Sequence, residues 1–177
     1  MPITEIANKY LKVLHNGEEP DGGISFKKAL GPSRLDYSIE SLSRVDALLD
    51  QIRTRLRPSY NEFIGHQANV NFLYLLAFYI GKVVAVETRS RIEWYGYDEM
   101  IALIPSNRDF FPNCFGTSVT CILSGGTKKG GFFVPLAAVE TRLYDDVPCP
   151  GLMNSHTQIG GKTHLDQQSD ENETKSL

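Results

Sequence analysis

The sequence predicts an α+β domain, and three observations carry that prediction. An apolar stripe of Ile39, Leu42, Val45, Leu49, Ile52 and Leu56 recurs at helical steps and stops at Pro58. A second stretch, FLYLLAFYIGKVVAV from Phe72 to Val86, is apolar on every side except at Lys82, as a helix buried in a core would be. After Thr88 the texture changes to short aromatic or β-branched runs separated by glycine, proline and asparagine, which is strand-and-turn chemistry. The expected architecture has an N-terminal helix, a helix over 38–57 and a long buried helix over about 61–87. These pack on a small, mainly antiparallel sheet with strands near 91–97, 100–104, 118–123 and 131–135.

In chain order, Ile3, Ile6, Ala7, Tyr10, Leu11 and Leu14 lie on one face of the first helix, which Pro2 opens and Asn16-Gly17 ends. EEPDGG (18–23) is a loop on turn chemistry. In ISFKKAL (24–30), Ile24 and Phe26 alternate with polar neighbours, so a short strand is expected. Ser38 opens the next helix, where its hydroxyl can accept a first-turn N–H, and Glu40 adds charge suited to the positive helix end. Glu40 and Arg44 stand four apart in the favourable order for a surface pair, and Arg53, Arg55 and Arg57 gather at the negative end. The third helix begins near Ser59 to Glu62 with polar residues His66, Gln67, Asn69 and Asn71, then turns wholly apolar. Its apolar run of 15 residues falls short of the ~20 that cross a bilayer, which favours a core helix. Gly81 permits a close neighbour, and Lys82 must reach solvent or a carboxylate.

RIEWYGY (91–97) alternates Ile92 and Trp94 with Arg91 and Glu93 and reads as a strand; MIALI (100–104) reads as another. SVTCIL (118–123) and GFFVP (131–135) flank SGGTKKG as a hairpin with a loop longer than two residues. Pro135 then suits the first turn of a helix carrying Leu136, Val139 and Leu143 to about Tyr144. Residues 1–147 form one globular domain on this reading. From Pro148 the composition turns polar, and 148–177 is expected to be a flexible tail.

The 177 residues carry a net charge of −3, which gives no electrostatic reason to bind a polyanion, so nucleic acid is not an expected partner. The N-terminal stretch lacks a basic segment followed by an apolar one, and the three cysteines, Cys114, Cys121 and Cys149, fit no disulfide or metal spacing. A cytoplasmic protein with reduced thiols, and no membrane partner, is the expectation.

Chemical motifs fail on their spacing. SGGTKKGG (124–131) is followed by Phe132 and joins two strands, so it is a turn and not a phosphate loop. Gly160-Gly161-Lys162-Thr163 would need its first glycine at position 156, which is His156. His15, His66, His156 and His164 make no helical zinc spacing, and Asp145-Asp146 lack further oxygen ligands, so no metal or other cofactor is expected. No Gly-x-Ser-x-Gly elbow occurs, and no cysteine has an adjacent base, so the balance leans away from an enzyme.

The remaining candidates for binding are Arg91, Trp94 and Tyr97, residue types common in interface hot spots, together with Lys82. The alternative role for Trp94 is to cover the core beside the central helix. The runs SRLDYSIESLSRVDALLDQIR (33–53), NFLYLLAFYIGKVVA (71–85) and EWYGYDEMIALIP (93–105) resemble a group of uncharacterised bacterial proteins, a domain of unknown function. These share an L-D-[YF]-S helix start and a Y-[LI]-G-E-V helix; Lys82 stands where that pattern has glutamate. The resemblance implies a bacterial cytoplasmic α+β domain and lends no reaction.

Three functions follow in order of preference. The first is a non-enzymatic protein-binding module, such as an immunity- or antitoxin-like partner. The second is a small-ligand sensor with a pocket between the central helix and the aromatic strand. The third is an enzyme whose site assembles only in the fold. Nothing in the sequence sets the oligomeric state.

Overall fold

A computed structural model describes residues 2–30, 35–103, 119–125 and 131–144. Among these, helices pack on a small antiparallel sheet, the α+β class the sequence predicts. Helix α1 (Ile3–Asn16) ends as expected, with Gly17 at φ 69 and its N–H returned to the Val13 carbonyl. Ala7 and Leu14 are buried, and the rest of the expected face packs partly buried on the same core.

Residues 24–30 are not a strand. Ser25 donates its N–H to the Ala68 carbonyl at 3.0 Å, Phe26 takes a left-handed φ of 58, and a single 3-10 turn follows over Lys27–Ala29. Phe26 still turns inward, its ring edge-on to Phe72 at 5.0 Å, so the alternation marked burial without marking a strand.

Helix α2 (Glu40–Leu56) is capped by Ser38, whose Oγ accepts the Ser41 N–H at 3.2 Å. Leu42, Val45, Leu49 and Ile52 are buried, whereas Leu56 is 59 % exposed because the last turn runs past the core. Arg44 reaches Asp36 at 2.8 Å, on the loop ahead of its own helix.

The helix expected over 61–87 is two, α3 (Tyr60–Ile64) and α4 (Gln67–Glu87). The break lies at Gly65-His66, where His66 is extended (φ −109, ψ 120), and Asn69 repairs it by donating its Nδ2 to the Phe63 carbonyl at 2.9 Å. At 21 residues and mean hydropathy 1.6, α4 is long and apolar enough to cross a membrane, so the length argument falls. What marks α4 as a core helix is burial: 72 % of its apolar window lies inside the fold.

Helix α4 packs against α1, α3, strand β1 (Arg91–Tyr95) and helix α6 (Pro135–Tyr144). Helix α2 has α6 as its helical partner and reaches α4 through side chains: the Tyr79 hydroxyl accepts the Tyr37 N–H at 3.0 Å and bonds the Ser41 hydroxyl. The sheet order is β1, β2 (Thr120–Ser124), β3 (Gly131–Phe133), with Trp94 opposite Cys121 and Ile122 opposite Phe132, so the hairpin pairing stands.

The strand expected at 100–104 is instead helix α5 (Tyr97–Leu103). Glu99 reaches back to accept the Gly96 N–H at 2.7 Å, acidic residues fill the first turn, and Met100 alone of its helix is buried. Strand β1 therefore stops at Tyr95. Pro135 opens α6, with Leu136, Val139 and Leu143 buried as expected. The first residue of the strand expected at 118–123, the hairpin loop 126–130 and the tail 148–177 lie outside the described residues.

Candidate functional site

The four sequence candidates do not meet. Trp94 is 4 % exposed, its ring edge-on to Phe78 at 5.1 Å and laid over Gly81, where a Cβ would overlap the indole. That contact fills the space between central helix and aromatic strand in which a pocket was expected. Arg91 is exposed on the opposite face of β1, Tyr97 is half-buried at the start of α5, and Lys82 sends its ammonium to solvent. A depression beside Trp94, lined by Thr4, Glu93, Tyr95 and Glu99, has its polar groups engaged locally. Thr4 donates to the Trp94 carbonyl at 3.2 Å, and Tyr95 to Glu93 at 2.7 Å.

A different cleft has the chemistry of a site. Tyr60 and Ile64 of α3, Val70, Leu73 and Tyr74 of α4, and Leu136 and Glu140 of α6 line a space of about 160 Å³. It lies where α3, the first turns of α4 and α6 meet, just past the break at Gly65-His66. Glu140 falls on the buried stripe of α6, four residues after Leu136 and three before Leu143, so helical geometry turns its carboxyl inward. It is 7 % exposed, and its Oε2 has no hydrogen-bond partner among the described residues. Burial pushes this carboxyl up to about 8, so it carries a proton at neutral pH.

Tyr144 follows one turn later, its ring edge-on to Tyr60 at 5.4 Å. Its buried hydroxyl also has no partner among the described residues, and burial, with Glu140 nearby, pushes its pKa up. The arginine two residues from Glu140 points elsewhere. Arg142 binds Asp50 at 2.6 Å and approaches Asp46 at 3.6 Å, bolting α6 to α2.

Among the described residues no group of three His, Cys, Asp or Glu side chains could hold a metal ion. Cys121 is buried, which pushes its thiol pKa up and away from nucleophilic chemistry. Glu140 is the candidate site residue that sequence reasoning missed. Its signal is a lone carboxyl inside the stripe Leu136, Val139, Leu143, where an apolar residue belongs. Set against family models, curated proteins and solved structures, the chain matches none.

Proposed function

We propose that this chain is a small-ligand-binding domain, a sensor and not a catalyst, with its site in the cleft between α3, α4 and α6. The observation that carries this reading is Glu140, a carboxyl 7 % exposed, with an oxygen lacking a partner among the described residues, on the wall of an aromatic and aliphatic cleft. Leaving such a group unmatched costs about 1–3 kcal/mol, a cost that folds accept chiefly where the group serves recognition. Apolar walls with one placed polar group are the ordinary make-up of a small-molecule site.

A protein partner, the first expectation from sequence, has less to support it. Trp94 is committed to the core, and among the described residues the exposed large apolar side chains Leu56, Val86 and Leu103 sit on three separate helices. The test is a fragment titration of the isotope-labelled protein followed by amide NMR. Shifts should cluster on α3, the first turns of α4, and α6. Shifts confined to Arg91 and Tyr97, or none at all, would remove the ligand reading.

A further inference from the structure

Resting on that reading of the cleft, we infer that its ligand is a small organic cation, a protonated or quaternary amine, held with its charge against Glu140 and its carbons against the tyrosine and leucine walls. The cleft's volume of about 160 Å³ corresponds to roughly five waters, so the bound group has only a few heavy atoms. Its polar character is one-sided. The Glu140 carboxyl is on its wall, with its Oε2 unpartnered among the described residues, and Arg142, the nearest cation in sequence, is turned through the opposite face of α6 onto Asp50. An anionic ligand would meet that carboxyl without a counter-charge. A polyol would need more partners than these side chains offer. An ammonium with methyl groups suits both the carboxyl and the faces of Tyr60 and Tyr74.

The protonation state of Glu140 adds a signature. Because burial holds its carboxyl at about 8, an arriving cation must displace a proton. Among the described residues, the titratable groups around it are Tyr144 on α6, Tyr60 on α3 and Tyr74 on α4. Asp46 and Asp50 of α2 face Arg142 on the far side of α6. The released proton is therefore Glu140's own. A quaternary ammonium has no proton to lose, so its binding isolates this linkage.

The experiment is calorimetric titration of the full chain with tetramethylammonium, and with the neutral tert-butanol of similar size, in buffers of different ionisation enthalpy. Tetramethylammonium should bind with release of about 0.9 proton at pH 7, tightening about ninefold from pH 6 to 7 and about fivefold from pH 7 to 8. Glu140→Gln, verified as folded by circular dichroism, should abolish both the cation's affinity and the proton release while tert-butanol still binds weakly. If tert-butanol binds as tightly as the cation and no proton is released, the cleft is a ligand site for uncharged molecules and the cation inference is overturned. Cation binding that Glu140→Gln leaves unchanged overturns it equally. If neither compound binds, the ligand reading of the cleft falls as well.

Discussion

Asn71 and Glu140 are both polar side chains on core-facing helices, 1 % and 7 % exposed, and their surroundings differ in kind. The Oδ1 of Asn71 accepts from Tyr10 at 2.6 Å and from Gln67 at 3.0 Å, while its Nδ2 donates to the carbonyls of Asp21 at 2.9 Å and Gly23 at 2.7 Å. Those four bonds use the side chain's capacity and close the loop 18–23 onto α4. Glu140, on α6, has an oxygen with no partner among the described residues. The contrast separates two uses of a buried polar group. Full satisfaction specifies architecture, since each bond fixes one element on another. Incomplete satisfaction beside a cleft is the observation on which the proposed ligand reading rests.

Two substitutions would break or sharpen that contrast. The larger effect belongs to Asn71→Ala, which strands the Tyr10 hydroxyl, the Gln67 amide and two loop carbonyls. It should cost about 4 kcal/mol in urea denaturation, nearly the same at pH 5 and pH 8. A loss below about 1 kcal/mol would mean that the corner is wet and the bonds are replaced by water.

The smaller effect belongs to Glu140→Gln and depends on pH. The carboxyl is held at about 8 in the fold against about 4.3 in the unfolded chain, so the native state keeps a proton that the unfolded state has released. Wild-type stability from this group is present below about pH 4.3 and is lost as pH rises towards 8. The glutamine variant does not titrate. It should match wild type at pH 4 and exceed it by on the order of 2 kcal/mol at pH 8, once local relaxation is allowed for. Parallel stability curves for the two proteins would place the carboxyl in contact with solvent.

How much of this was legible beforehand depended on periodicity. The stripe from Leu42 to Ile52 and the apolar run of α4 repeat often enough to set both helix and inward face, and the β2–β3 hairpin announces itself by glycines between two short runs. MIALI has no period to read, and the acidic start that makes it α5 lies just upstream in Tyr97-Asp98-Glu99. The break between α3 and α4 was hidden because Gly65 and His66 are individually tolerable in a helix, and what stabilises the break is the side chain of Asn69. The site was the least legible part. Attention to Arg91, Trp94 and Tyr97 followed residue type, whereas the cleft combines tyrosines from two helices with one carboxyl eighty residues downstream of the first. Only the misplacement of Glu140 within an apolar stripe could have pointed there.

The most direct measurement is the titration of Glu140 itself, followed by the ¹³C resonance of its side-chain carboxyl, with the Glu140→Gln spectrum giving the assignment. A midpoint near 8 is expected, moving down when tetramethylammonium is added. A midpoint near the ordinary glutamate value of about 4.3, unmoved by the cation, would contradict the account of the cleft.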